Sequence, residues 1–354
     1  MRLLENELYR SDVAEAAGCG ISWEKLRDSS IAISGATGLI GSFLIDVIMH
    51  KNRESGLNCK VIALGRSIKK TEDRFAEYMN EPAFQFVECD ICNTDSIKID
   101  GNVDYVFHAA SNTHPVAYAT DPIGTITVNV IGLQNLLEMA RKHNVKRFLF
   151  ASSNEIYGEN RGDTEKFSED YCGYINSNTL RAGYPESKRV SEALCQAYIK
   201  QYDMDIVIPR LTRSFGATIL SSDTKAVSQF LKKGVNGEDI VLKSAGGQFY
   251  SFTYVADAVT GVLFCLTEGI KGEAYNIATD SCDITLRELA QTIADLVGTK
   301  VVFDIPEATE AAGFSVVTKA VLDGSKLEKL GWKASYDIKK GIAHTIRILK
   351  AMEA

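Results

Sequence analysis

Two side chains near the middle of the chain have types and spacing suited to proton transfer. Tyr184-Pro185-Glu186-Ser187-Lys188 sets a phenol and an ammonium four residues apart, so on a helix they share a face one turn apart. Pro185 fits a first helical turn, and Val190, Ala193, Leu194 and Ala197 continue an inward face. A phenol with an ordinary pKa of about 10 is a poor base at neutral pH. An ammonium one turn away favours the phenolate. Upstream, Ser152-Ser153-Asn154-Glu155-Ile156-Tyr157-Gly158 supplies a hydroxyl and a carboxylate. Tyr-x-x-x-Lys is common by chance, and a turn rich in Ser and Asn can be an ordinary loop. What precedes them decides their weight.

The element that positions them is Ser30-Ile31-Ala32-Ile33-Ser34-Gly35-Ala36-Thr37-Gly38-Leu39-Ile40-Gly41, an apolar run broken by three glycines three apart. It reads as strand, tight turn and helix start, with Gly35, Thr37, Gly38, Leu39, Ile40 and Gly41 around a pyrophosphate at the helix N-terminus. A dinucleotide there brings a nicotinamide cation. Tyr184 then removes a hydroxyl proton while hydride leaves the same carbon, with Ser153 bonding the oxygen and Lys188 supporting the phenolate.

Further along, a helix is expected from about Leu39 to Lys51 and a strand from Lys60 to Leu64. Gly65-Arg66 follows where an NAD enzyme usually carries an acidic residue for the ribose hydroxyls; Arg66 therefore leaves NADP open beside NAD. A helix over Lys69 to Asn80 and a strand over Phe84 to Glu88 bring Asp90 and Ile91 to the adenine end. The strand from Val103 ends in Ala109-Ala110, followed by Ser111, where small residues let backbone approach the cofactor. His108 reads as a packing or hydrogen-bonding residue. From Asp121-Pro122 a helix runs to about Asn144, apolar around much of its circumference, so it is buried on two sides or shared with a second subunit. Strand Arg147 to Ala151 then delivers Ser153 at the carboxyl end of a parallel strand. Ahead of the first strand, residues 1–28 form a charged prelude in which Ser22 caps a short helix at Trp23.

The chain has 354 residues, 45% hydrophobic and 24% charged, with a formal net charge of −7. Its length suits two domains, and its charge argues against nucleic-acid or anionic-membrane partners. No apolar run nears the roughly 20 residues that span a bilayer. The first residues lack a signal-peptide pattern, so a cytoplasmic location is expected. Eight cysteines and five histidines are scattered. Cys89-Asp90-Ile91-Cys92 has no second pair or ligating histidines, which favours buried thiols over a metal or redox site. No metal site is expected.

These motifs resemble the extended short-chain dehydrogenase/reductases, in particular the nucleotide-sugar epimerase, dehydratase and decarboxylase group. The similarity spans about residues 29–350. It rests on Gly35/Gly38/Gly41, Asp104 to Ala110, Asn129 with Gly132, Ser153 to Gly158, Tyr184/Lys188, Pro209-Arg210 to Gly216, Tyr254 to Ala258 and Leu330-Gly331-Trp332. Residues 173–192 look most like the UDP-glucuronate decarboxylase branch. The resemblance implies an α/β fold, a doubly wound parallel (Rossmann) sheet with a smaller C-terminal substrate domain. In domain terms this is residues 29–210 with 249–268 returning, then mainly 211–354, after a helical extension at 1–28. It also implies Asn129 at the cofactor and a nucleoside-diphosphate sugar in the cleft. The broadly apolar helix 122–144, with the helix beginning near Tyr184, separately points to a homodimer with a four-helix interface.

Departures from the family pattern bear on the reaction. Arg213 stands where relatives usually carry Asn, Ala217 replaces a proline, and Tyr250 occupies a position often held by an arginine. Arg213 and Lys225 are candidates for diphosphate contacts, with a solvated surface cation as the plainer reading of each. Dehydratases of the group place Asp-Glu where this chain has Asn154-Glu155; decarboxylases also keep the glutamate, and simple 4-epimerases need neither. The expected function is sugar modification through a transient 4-ketone, dehydratase- or decarboxylase-like. Alternatives are 4-epimerisation, an NADPH-dependent reductase, and a non-catalytic binding protein on this fold. Decarboxylation needs a cation for the sugar carboxylate, and Tyr250 cannot supply it. Arg181 or Arg213 would have to.

Overall fold

A computed structural model describes residues 2–113, 115–305 and 317–353. In chain order the elements are α1 (Glu7–Ala17), β1 (Ser30–Ser34), α2 (Leu39–Ser55), β2 (Lys60–Gly65), α3 (Ile68–Phe75), β3 (Phe84–Glu88), β4 (Tyr105–His108), α4 (Pro115–Thr120), α5 (Pro122–Lys142), β5 (Arg147–Phe150), β6 (Ser152–Ser153), α6 (Gly183–Tyr202) and β7 (Ile206–Leu211). They continue with β8 (Arg213–Phe215), α7 (Ala226–Val235), β9 (Ile240–Leu242), β10 (Phe249–Tyr254), α8 (Val255–Thr267), β11 (Ala274–Ile277), β12 (Asp283–Thr285), α9 (Leu286–Val297), β13 (Val301–Phe303), β14 (Lys319–Ala320), α10 (Ser325–Glu328) and α11 (Ile338–Glu353).

Strands such as Ile31-Ala32-Ile33 have no polar face, so both sides must be covered. Alternate residues feed two cores. Ile31, Ile33, Val61, Ala63 and Phe107 pack in one with α1, α2 and α8; Ala32, Ile62, Leu64, Val106 and Phe148 pack in the other with α5 and α6. The sheet runs β3-β2-β1-β4-β5-β7-β11, with β6 beside β7 and every pairing parallel. Strand order reverses between β1 and β4, which opens a crevice beyond their carboxyl ends. Ser34 pairs with His108 and His108 with Phe150, so Gly35, Ala109 and Ala151 leave the sheet along one edge. This is the doubly wound parallel sheet expected from the sequence. A second sheet, β12-β10-β14 with β8 on β10, and a β13-β9 pair stand apart from it.

Several boundaries differ from the expectation. α2 continues to Ser55 and stops at Gly56 in the left-handed region, while α3 ends at Phe75. Ser22 does not cap: residues 23–26 form a single 3-10 turn with no side-chain cap, and the Ser22 amide donates to Glu268 instead. The helix of the extension is α1, capped by Asn6, which accepts from the Tyr9 amide at 3.0 Å. Tyr9, Val13 and Ala16 bury it against α2 and α8. It therefore leaves α5 and α6 uncovered, and Ile123 (78% exposed), Ile126, Ile131 and Val190 stay open to solvent. Among the described residues no helix is long and apolar enough to cross a membrane.

Candidate active site

The glycine turn is shaped by close backbone approach. Gly35 has φ +73°, and a Cβ there would stand 2.7 Å from the Ala110 nitrogen and 2.8 Å from the Ala109 carbonyl carbon. Only glycine tolerates both. At Gly41 a Cβ would lie 2.4 Å from the Gly35 oxygen, so the third glycine lets α2 seat on the turn. Gly38 caps α2 with no side-chain acceptor, and the first turn has no acidic residue. The first N–H groups of this 17-residue helix are thus left for an anion. Thr37, Leu39 and Ile40 flank them; Ile40 is buried, and the Leu39 carbonyl accepts from Thr218 at 2.8 Å. These residues fit a dinucleotide pyrophosphate.

Arg66 is exposed just past β2. Asp90, also exposed, accepts the Cys92 amide at 3.0 Å, while the Ile91 side chain packs where α5 has only a hydrogen at Gly132. Asn129 is fully buried in α5; its amide donates to Thr125 O (3.1 Å) and Ser187 Oγ (2.9 Å), and its Oδ1 is buried without a partner. Ser111 donates to the Asn112 carbonyl at 3.3 Å. His108 Nδ1 lies 2.7 Å from Ser34 Oγ. Burial, aided by Lys188, pushes that imidazole down to about 3, so it is a neutral hydrogen-bonding residue. All eight cysteines are free thiols, and among the described residues no group of three or more His, Cys, Asp or Glu could hold a metal ion.

Tyr184 and Lys188 sit in the first turns of α6, both buried. Ser153 ends β6, held beside Leu211 of β7, close enough to Tyr184 to favour its phenolate. The same Oγ accepts the Glu155 amide at 3.2 Å, and buried Asn154 opens the turn that follows. Lys188 donates to the Ala151 carbonyl at 2.8 Å and lies 6.0 Å from the Tyr184 ring centre. Burial pushes its ammonium down to about 7, with Glu192 opposing. The protein's own groups do not lower Tyr184 as the spacing suggested. Burial and the Glu155 charge hold its phenol above the ordinary range, against smaller opposing effects of Ser153 and Arg181. An added cation beside the ring would bring it down, which is what an oxidised nicotinamide carries.

Beyond Tyr184 lies a cluster drawn from four distant stretches. Arg181 Nη2 stands 2.8 Å from both Glu155 carboxylate oxygens. Arg213, in β8, lies over the Tyr250 ring at 3.7 Å. Burial lowers the Arg213 guanidinium, Tyr250 and Glu155 oppose, and Arg181 adds to the lowering. Nη1 of Arg181 and Nη1 of Arg213 are both buried without an acceptor. Lys225, just ahead of α7, pairs with Asp223 at 2.9 Å, and the Asp223 charge reaches Tyr118.

Two participants escape a reading of the sequence. Tyr118 of α4 stacks on Tyr184 with ring centres 5.0 Å apart, and the Arg181 guanidinium lies 4.9 Å from the centre of the Tyr118 ring. Its helix is six residues long and carries no periodic signal. Glu192, one turn beyond Lys188, looks like a surface charge but accepts from Ser152 and pairs with Arg210 at 2.7 Å. Its i+4 spacing from Lys188 was the available hint.

The chain is similar to several known proteins. UDP-glucuronic acid decarboxylase 5 of Arabidopsis thaliana is 30% identical over 315 residues, covering 88% of this chain and 86% of its own. A dTDP-glucose 4,6-dehydratase from Streptomyces venezuelae, solved with NAD and TYD bound, superposes with a TM-score of 0.78 at 24% identity, covering 91% of this chain and 97% of its own. A UDP-glucuronic acid 4-epimerase from Bacillus cereus, in complex with UDP-glucuronic acid and NAD, gives 0.77 at 21%, with 91% and 99% covered. Residues 31–278 match the family as a whole. With the glycine turn, the parallel sheet and the Ser153/Tyr184/Lys188 set in place, the chain belongs to the NAD dependent epimerase/dehydratase family of enzymes.

Proposed function

We propose that this enzyme acts on a nucleoside-diphosphate uronic acid, forming a transient 4-ketone and releasing the C6 carboxylate as carbon dioxide. The observation that carries the reading is the charge balance at the sugar end: Asp223, which also acts on Tyr118, is matched by Lys225, while Arg181 and Arg213 have Glu155 between them and each keeps a buried unpaired Nη1. That excess positive charge suits an anionic sugar. Relatives that are UDP-glucuronic acid decarboxylases support it.

Tyr184 takes the C4 hydroxyl proton and later returns it, while Ser153 holds the same oxygen. Lys188, fixed by the Ala151 carbonyl, and Asn129, with its free Oδ1, flank the nicotinamide end. NAD held by the Gly35–Gly41 turn would supply hydride exchange at C4 and the cationic ring beside Tyr184. Once C4 is a ketone, the C5–C6 bond breaks, its electrons enter the C4 carbonyl, and C5 takes a proton. Glu155 stands beside Tyr184 for that proton transfer. The same carboxylate would also serve C5 deprotonation, so a 4,6-dehydratase is the second reading, and 4-epimerisation, which needs no Glu155, the third. Arg66 keeps NADP within the proposal.

We assign residues 29–210 with 249–268 to the dinucleotide half and mainly 211–354 to the sugar half, although β10 at 249–254 runs in the second sheet and β11 at 274–277 in the large parallel one. Residues 1–28 are the extension. We infer a homodimer through α5 and α6, whose exposed Ile123, Ile126, Ile131 and Val190 need a cover. A dimer mass by sedimentation at micromolar concentration is expected; a monomer contradicts it. For the reaction, the purified enzyme should release carbon dioxide from UDP-glucuronic acid. A 4-keto-6-deoxy product from UDP-glucose or dTDP-glucose, without that release, would favour the dehydratase instead.

A further inference from the structure

The stack of Arg213 on Tyr250 has no part in the proton transfers above. Tyr250 is buried, its hydroxyl donates to the Val317 carbonyl, and its backbone pairs with Ala320 of β14 and Ile284 of β12. The ring is therefore a fixed platform. A guanidinium lying 3.7 Å above it has lost most of its freedom before any ligand arrives, and its planar fork then points one way. Among the described residues Arg213 has no ion-pair partner, and its Nη1 is buried without an acceptor. Desolvating a charge and leaving a donor unmet is costly unless something completes it.

Position decides which part of a substrate does so. Glu155 pairs with Arg181 at 2.8 Å, Arg181 lies 4.9 Å from the Tyr118 ring that stacks on Tyr184, and both Glu155 and Arg181 act on the Arg213 charge; Glu155 also acts on Tyr184. Tyr184 serves C4. On a hexuronic acid C6 branches from the neighbouring C5, whereas the diphosphate leaves from C1, across the ring. An anion beside Glu155 and Tyr184 is then the sugar carboxylate. We propose that Arg213, braced on Tyr250, seats the C6 carboxylate and makes the enzyme select a uronic acid over the matching neutral sugar. The proposal rests on the uronic-acid reading above, and Tyr250 acts in it as a positioning residue.

The test measures binding of UDP, UDP-glucose and UDP-glucuronic acid to the cofactor-loaded enzyme, alongside carbon dioxide release. Arg213→Gln should weaken UDP-glucuronic acid by roughly 10- to 100-fold, as expected for a lost charge-assisted pair, and leave UDP and UDP-glucose within about twofold. Arg213→Lys should restore part of the loss. Tyr250→Leu should raise KM for the uronic acid with a smaller change in kcat. Retained cofactor and melting temperature show that each variant folds. An equal loss for all three ligands makes Arg213 a phosphate contact and overturns the proposal, as does no loss for any. A wild-type enzyme that binds UDP-glucose as tightly as UDP-glucuronic acid overturns it too. Wild type that releases no carbon dioxide overturns the functional reading itself.

Discussion

Arg210 and Arg213 stand three residues apart, and their surroundings are opposite. Arg210 is closed: Nε and Nη2 meet Glu192 at 3.0 and 2.7 Å, and Nη1 meets the Tyr157 hydroxyl at 2.9 Å and the Glu169 carbonyl at 2.6 Å. Tyr157 in turn donates to Asn276, whose amide donates to the Phe167 and Asp323 carbonyls. Burial works against the Arg210 charge, yet Glu192 and Tyr157 hold its pKa above the ordinary range. Arg213 has an aromatic ring beneath it and an unmet Nη1, so burial prevails and its pKa falls. A saturated buried cation ties strands and loops together. An unsaturated one is a cost that the folded chain carries until a ligand completes it.

The largest expected effect lies on the open side and is catalytic. Tyr184→Phe removes the proton acceptor and should lower turnover by about 10²- to 10⁴-fold, with the fold and bound cofactor unchanged by circular dichroism and absorbance. Near wild-type activity would remove Tyr184 from the reaction.

Stability separates the two arginines directly. Arg210→Met strands Glu192 in the interior and should cost about 3–5 kcal/mol, read as a lowered denaturation midpoint. Arg213→Gln, which removes a charge with no ion-pair partner among the described residues, should stay within about 1 kcal/mol of wild type. Equal losses would mean that Arg213 belongs to the fold and erase the distinction.

A smaller effect follows from the two buried groups displaced to about 7. Lys188 is held down to about 7 from 10.5, so between those values the unfolded chain binds a proton that the folded one does not. Stability should therefore rise with pH through that window. Asp257, raised by burial from 3.8 to about 7, keeps a proton that the unfolded chain has released, so its contribution should fall as pH rises from about 4 to 7. The melting temperature of the protein should rise more steeply above pH 7 in wild type than in Lys188→Met. An unchanged slope in that variant would mean that Lys188 is solvated.

What the sequence disclosed follows the same division. The glycine turn, the strands at 60–65 and 84–88 and the Tyr184/Lys188 pair were legible because each is fixed by neighbours a few residues away. The expected phenolate was not, because the Tyr184 pKa depends on burial and on Glu155, which reaches it only through the fold. Tyr118 was hidden in a helix too short to show a period, and Ser22 lost its capping role to a tertiary bond with Glu268. The meeting of Glu155, Arg181, Arg213 and Tyr250 joins four segments that no local pattern relates. Their separate candidacies came from family resemblance, their arrangement from the structure.

The most direct measurement runs the reaction in heavy water with UDP-glucuronic acid and reads the product by mass spectrometry and proton resonance. Carbon dioxide release with one deuterium at C5 of a UDP-pentose and none at C4 is the expected result, since C5 takes its proton from solvent and C4 recovers its own hydrogen. An unlabelled product still carrying its carboxylate, inverted at C4, would contradict decarboxylation and make the enzyme a 4-epimerase.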